Sequence, residues 1–251
     1  MKILAIDTTA KTAAGAICDG DKTLCAFAVT GGFTHSETML PEVDGLFEKS
    51  GLAPKDIDMF AVSAGPGSFT GVRIGVSLIK GLAFGRSAAC VGISSLDTLS
   101  ENGIGIGGKF IACPVMDARR SQLYNALFLI ESGKKERLCE DRLISSADLA
   151  NELSGFSLPI YFFGDGYKIA KAAFPAAQET PEELILQSAP SVAAVARRIY
   201  ENATDKNIFT DLALSPSYLR PSQAEREYNE KKEKNENEKD CTCGGSRRLR
   251  T

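Results

Sequence analysis

The run Gly65-Pro66-Gly67-Ser68-Phe69-Thr70-Gly71-Val72-Arg73-Ile74-Gly75 constrains this chain more than any other stretch. It follows an apolar, strand-like segment, Ile57 to Ala64, and leads into an apolar, helix-like segment that ends near Phe84. The glycines and Pro66 predict a tight turn with close backbone approach. A glycine-rich loop that opens a helix presents free N–H groups, so its expected use is anion binding. The P-loop pattern fails, because no Gly-Lys-Ser/Thr closes the run. The spaced-glycine dinucleotide pattern fits poorly too, since Phe69 and Thr70 stand where backbone should meet a pyrophosphate.

In the helix that follows, Gly71, Gly75, Leu78 and Leu82 share one face, and Val72, Val76, Ile79 and Ala83 form a second. Only Arg73, Ser77 and Lys80 make a polar stripe, so most sides of the helix are expected to be covered. Two arrangements satisfy this: a core helix against its own sheet, or a helix whose glycine face meets a second protein.

At 251 residues the chain has room for one large domain or two lobes. A net charge of −3 argues against dedicated nucleic-acid binding, which shows a basic surplus. No apolar run of about eighteen residues exists, so no membrane helix is expected. Met1-Lys2-Ile3-Leu4-Ala5-Ile6-Asp7 turns acidic too soon for a signal peptide. The seven cysteines form no Cys-x-x-Cys pair, and Cys18, Cys25, Cys90 and Cys113 lie in apolar runs as reduced core residues would. The expected compartment is the cytoplasm.

The first hundred residues read as three strands, a helix, a strand and a helix. Ile3 to Asp7 is the first strand, and Ala14–Cys18 and Leu24–Val29 flank the hairpin turn Asp19-Gly20-Asp21. Thr34 to Ser50 is a helix, with Thr34 and Glu37 spaced as a capping box, Pro41 as a kink or first-turn limit, and Gly51 as its end. The order then recurs: strand Phe110–Met116, a hairpin of Leu123–Ile130 and Arg137–Ile144, helix Ser146–Leu153, strand Pro159–Phe163 and helix Tyr167–Phe174. The glycine-rich stretch 103–108 divides the halves, and Ser191–Asn202 adds a helix. Mixed sheets with helices on their faces follow, with a cleft between lobes as the default ligand site. Beyond Leu219 the chain becomes densely charged, which suits a solvated helix or a disordered tail. The Cys241-Thr242-Cys243 pair lacks the further ligands of a zinc site.

Asp7-Thr8-Thr9 ends the first strand, where duplicated-lobe ATPases keep an aspartate and a glycine-containing hairpin for metal and phosphate. Here Thr8 replaces that glycine, and a plain strand-end turn explains the residues equally well. Asp117-Ala118-Arg119-Arg120 occupies the matching place in the second half. It reads either as a bidentate phosphate site or as a salt-bridged hairpin corner. Gly164-Asp165-Gly166 stands between a strand and a helix, where a nucleotide base would approach. His35 is the only histidine, so a histidine-based metal site or a serine–histidine triad is not expected, and His35 reads as an exposed first-turn residue.

Taken together, Ile6-Asp7-Thr8-Thr9, Thr34-His35-Ser36-Glu37, the long glycine run, Met116-Asp117-Ala118-Arg119-Arg120 and Pro216-Ser217-Tyr218-Leu219-Arg220 resemble the TsaB (YeaZ) family of tRNA threonylcarbamoyladenosine biosynthesis. The resemblance covers residues 1 to about 226 and leaves the tail beyond Tyr228 without a counterpart. It implies the α/β fold of sugar kinases, Hsp70 and actin (ASKHA), with two ribonuclease-H-like lobes, each a mixed sheet with helices. The lobes would be 1–102 and 103–224, followed by a charged, flexible tail at 225–251. It implies a non-catalytic scaffold that works with the transferase TsaD and the ATPase TsaE, needs no cofactor or metal, and meets tRNA only through the complex. The partner face would comprise His35, Glu37, Leu40, Gly71, Arg73, Gly75, Leu78 and Leu82, and the same face would form a homodimer in the isolated chain. Asp7, Thr8, Thr9, Asp117, Arg119, Gly164 and Gly166 would be a vestigial nucleotide site. The alternatives are a stand-alone nucleotide-binding enzyme that uses the cleft, and a metallopeptidase.

Overall fold

Strand β1 (Lys2–Asp7) sets the layering of the molecule. Leu4 and Ile6 point into one core and Ile3 and Ala5 into another, the period of two that a strand covered on both faces requires. The computed structural model describes residues 1–31 and 34–220. Around β1 lie β2 (Thr12–Asp19), β3 (Lys22–Thr30), β4 (Met59–Gly65) and β5 (Ala89–Ser94), in the order β3-β2-β1-β4-β5. The first three strands are antiparallel, with β2 and β3 joined at Gly20 (φ 59°), and β4 and β5 run parallel to β1. The helices are α1 (His35–Ser50), α2 (Phe69–Ala83), α3 (Ser95–Glu101), α4 (Ser146–Leu153), α5 (Tyr167–Ala173), α6 (Glu182–Ile185) and α7 (Ala189–Asn202).

The two faces of this sheet differ in side-chain size. Leu4, Ile6, Phe60 and Val62 meet Met39, Val43 and Leu46 of α1 and Val72, Val76 and Ile79 of α2. Each such large side chain, fully buried, stabilises by about 1.5–3 kcal/mol. On the other face, Ala5, Ala14, Ala16 and Ala61 meet Ala189, Val192, Ala193 and Ala196 of α7. Small residues on both partners let this helix lie close to the sheet. The last helix among the described residues thus returns to the first sheet.

The second sheet is built on β6 (Lys109–Asp117) with β7 (Gln122–Asn125), β8 (Phe128–Glu131), β9 (Lys134–Arg137), β10 (Arg142–Ser145) and β11 (Ile160–Phe163). The single strand expected over Leu123–Ile130 is in fact two strands. β8 pairs with Lys109–Ala112 of β6 and β7 pairs with Val115–Asp117. The switch falls at Pro114, which has no N–H to give to a ladder. Buried Asn125 fills the junction, donating to the carbonyls of Pro114 at 3.0 Å and Ala126 at 2.9 Å. The glycine stretch after α3 is a packed 3-10 turn, Asn102–Ile106, with Gly103 against Phe163, Ile130 and Phe110.

Helix α1 lacks the expected capping box. Thr34 makes no side-chain cap bond, and its carbonyl accepts the Glu37 amide at 2.9 Å. The helix continues through Pro41 to Gly51, which closes it at φ 68°. Helix α3 joins the two sheets through a charge network. Lys135 of β9 bonds Asp97 and, at 2.8 Å, Glu101; Arg198 of α7 grips Glu101 from the other side at 2.5 and 3.0 Å. Burial pushes the Glu101 carboxyl up, but Arg198 and Lys135 outweigh it and hold the group below the usual carboxylate range. Residues Met1–Ser217 form one compact unit, and Tyr218–Arg220 begin a second. The tail expectation at 225–251 lies outside the described residues.

Candidate functional site

The glycine run is where α2 meets the turn after β1. The Ser68 amide donates to the Thr9 carbonyl at 2.7 Å, and Thr8 Oγ1 donates to the Gly71 carbonyl at 2.7 Å. Ser68 Oγ caps the helix by accepting the Gly71 amide at 3.3 Å. This counts against the anion-binding expectation: the Thr9 carbonyl and the Ser68 hydroxyl already take the Ser68 and Gly71 amides at the start of the helix. The glycines make this approach possible. A Cβ on Gly67 would lie 2.4 Å from the Thr9 oxygen, and one on Gly71 2.0 Å from the Thr8 oxygen. A Cβ on Gly75 would lie 2.5 Å from Thr8 Oγ1. Gly71 and Gly75 thus face inward, which corrects their assignment to an outer partner face.

Asp7, Thr8 and Thr9 are 0 % exposed. Asp7 Oδ1 accepts the Thr9 amide at 2.8 Å and the Thr9 hydroxyl at 2.6 Å, while Oδ2 has no partner at hydrogen-bond distance. Burial pushes this carboxyl up from its ordinary value, opposed by the nearby Ser63 hydroxyl and the Thr9 bonds. Ala10, next in the chain, packs with Leu96, Leu99 and Met116 in the core between the sheets. Gly164 and Gly166 are also structural. A Cβ on Gly164 would meet the Val115 oxygen at 2.3 Å, and the Gly166 amide donates to that oxygen at 3.1 Å. Asp117 and Arg119 are exposed on a separate turn. Of the seven expected nucleotide-site residues, Asp7, Thr8, Thr9, Gly164 and Gly166 are buried, and Asp117 and Arg119 are exposed. Among the described residues, no cluster of three or more His, Cys, Asp or Glu is placed to hold a metal.

His35 is half-buried rather than exposed, with Nε2 2.7 Å from the Ala10 carbonyl. A ring N–H donating there ties the start of α1 to the β1–β2 turn. Glu37 and Arg73 are exposed, and the Arg73 guanidinium lies 4.0 Å from the Phe69 ring centroid. Leu40 on α1 is 50 % exposed. On α2, Leu78 and Leu82 are half-buried against the first core, together with Ile74. Three features of this outer surface were not anticipated: Phe84, 80 % exposed at the end of α2, and Gly45 and Gly81, whose missing Cβ atoms face open space. An interior helical glycine costs about 0.8–1.0 kcal/mol relative to alanine. Packing within the described chain explains neither one. Their signal in the sequence was a glycine inside each helix with no turn to explain it.

A family model described as TsaD, tRNA N6-adenosine threonylcarbamoyltransferase, matches residues 32–228. The tRNA threonylcarbamoyladenosine biosynthesis protein TsaB of Bacillus subtilis is 35 % identical over 171 residues, 68 % of this chain and 74 % of its own length. TsaB of Escherichia coli is 36 % identical over 49 % of this chain and 53 % of its own. The structure of YeaZ from Pseudomonas aeruginosa has the same fold, with a TM-score of 0.71 at 21 % identity, covering 87 % of this chain and 99 % of that one.

Proposed function

The chain belongs to the TsaB (YeaZ) family, and from that premise we propose that it is a non-catalytic partner subunit in tRNA threonylcarbamoyladenosine biosynthesis. Its role is to hold a TsaD-type transferase through the outer surface of α1 and α2, in a complex that a TsaE-type ATPase joins. One observation carries the reading. The Asp7–Thr9 turn is buried under the start of α2, whereas the outer sides of the two helices leave Leu40 exposed, Ile74, Leu78 and Leu82 half-buried, and one glycine in each helix, Gly45 and Gly81, with nothing within 4 Å of an added Cβ. Glycines at open helical positions let a second backbone approach closely. A standard interface buries roughly 1,600 Å² in total, and two helices of 16 and 15 residues can present one side of it. Without the transferase, the same surface pairs with a second copy of the chain. The reading keeps two lobes by chain order, 1–102 and 103–224, with α7 of the second stretch packed on the first sheet; it requires no cofactor and puts the chain in the cytoplasm, where tRNA is modified. Among the described residues no helix is long and apolar enough to cross a membrane.

Gly81→Leu tests the proposal without touching the core, because nothing lies within 4 Å of the added Cβ. The variant is expected to stay folded and to lose at least tenfold in affinity for the transferase, read by titration calorimetry. A folded Gly81→Leu that binds like the wild type overturns the assignment.

A further inference from the structure

The turn after β6 is built in a way the function above does not use. Arg119, Arg120 and Ser121 are three successive non-glycine residues in the left-handed region, with φ of 65°, 55° and 56°. L-residues avoid that region, and when held there they mark a site the surrounding structure over-determines. Here the surroundings are explicit. The Arg119 amide donates to Asp117 Oδ1 at 2.7 Å, the Ala118 amide to the Gln122 carbonyl at 3.0 Å, and the Gln122 amide to the Arg119 carbonyl at 3.1 Å. The Ser146 amide donates to the Ser121 carbonyl at 3.1 Å. The rigid turn displays two arginines in water. Both are exposed, and among the described residues neither side chain has a hydrogen bond or an ion pair. The salt-bridged corner that the sequence allowed is therefore not what formed.

The nearby carboxylates are engaged elsewhere. Asp117 holds the Arg119 amide, and half-buried Asp165 accepts the Asp117 amide at 3.1 Å. Exposed Lys11, on the β1–β2 turn, is close enough for its charge to act on Asp165. Lys11 thus adds a cation on the Asp165 side of the arginine turn, and both carboxylates accept backbone N–H groups. We infer that the Asp117–Gln122 turn, with Lys11 beside it, is a docking point for an RNA phosphodiester backbone. The inference rests on the tRNA-modification reading above, since RNA is the polyanion that this chemistry brings to the chain. Arginine's planar fork matches phosphate oxygens and stays charged at any working pH. A pre-ordered turn loses little freedom when it binds.

The test is tRNA binding by the full chain assembled with its transferase, measured at several salt concentrations. Each phosphate contact contributes roughly 0.7–0.9 to the slope of log K against log salt. Arg119→Gln with Arg120→Gln is expected to lower that slope by about 1.4–1.8 and the affinity several-fold near 0.1 M salt. The double lysine variant keeps most of the slope. The double glycine variant relaxes the left-handed backbone, so it folds at least as well as the wild type and still loses the slope. An unchanged slope in the folded glutamine and glycine variants overturns the inference. Weaker assembly with the transferase at an unchanged RNA slope also overturns it, and gives the arginines to an acidic protein surface. If the wild-type chain does not assemble with a transferase at all, the functional reading fails. The same variants are then compared on the isolated chain with tRNA, and the salt slope still decides.

Discussion

Two turns hold matching places in the two halves of this molecule and meet opposite fates. Both open with the same device: Asp7 Oδ1 accepts the Thr9 amide at 2.8 Å, and Asp117 Oδ1 accepts the Arg119 amide at 2.7 Å. An aspartate bonded to the amide two residues on is a self-sufficient local turn. Beyond it the turns diverge. The first lies under the glycine-lined start of α2 and has no exposed polar atom at Asp7, Thr8 or Thr9. The second leaves Asp117, Arg119, Arg120 and Ser121 in solvent. The same local chemistry therefore serves packing in one half and surface in the other. What decides is the element that covers the turn, a helix more than 60 residues away in the chain.

The sharpest way to break this contrast is to unseal the first turn. Gly71→Ala places a Cβ 2.0 Å from the Thr8 oxygen, a backbone atom that cannot swing away. The expected loss is about 3 kcal/mol or more, at the upper end for overpacking, read as a fall in the urea midpoint. Gly81→Ala on the same helix meets nothing within 4 Å. It is expected to gain about 1 kcal/mol from helix propensity alone. If both substitutions are neutral, α2 does not hold the turn.

Asp7 gives the second test, through pH. Burial is the largest influence on it and raises its pKa above the ordinary 3.8. A raised carboxyl means the folded state holds its proton more tightly than the unfolded chain. That contribution to stability is complete below the unfolded value and is lost as pH rises through the folded one. Glu101, lowered by Arg198 and Lys135, runs the other way and loses its contribution on acidification. Asp7→Asn keeps an oxygen for Thr9 and removes the charge. It is expected to stabilise near neutral pH, with the gain vanishing on acidification through the ordinary carboxylate range. Denaturation at stepped pH checks this, and a gain that persists in acid refutes the assigned cause.

Much of the fold could be read in advance, because burial on two faces writes itself as alternation. Leu4 and Ile6 against Ile3 and Ala5, the Gly20 hairpin and the apolar faces of α2 all follow from period and turn chemistry. The use of the glycine loop could not be read. A loop that cradles a phosphate and one that cradles its own chain need the same glycines, and only the position of Thr8 and Thr9 separates them. The half-burial of His35 leaves no sequence signal for the same reason, since its partner, the Ala10 carbonyl, is a backbone atom with no residue signature. The split of Leu123–Ile130 hid in Pro114, whose missing N–H matters only once β6 is known to change partners there. The strained arginines left no mark, because left-handed backbone is announced by glycine or asparagine and this turn has neither.

The smallest expected effect probes the second turn by itself. If Arg119 and Arg120 are held left-handed by their neighbours, the cost is stored in the folded state, and glycine removes it at no steric penalty. Against this stands the extra freedom glycine gives the unfolded chain, which lowers stability by about 0.4–1 kcal/mol per site. Left-handed backbone costs an L-residue roughly 1–2 kcal/mol, so the balance favours glycine. Each single substitution, Arg119→Gly or Arg120→Gly, is expected to gain about 0.5–1 kcal/mol, seen as a higher urea midpoint with an unchanged slope. The same substitution at Lys11, an ordinary exposed residue outside the positive-φ set, is expected to gain nothing. A loss of stability at Arg119 or Arg120 would mean that the arginine side chains support the turn, and the two turns would then differ less than their burial suggests.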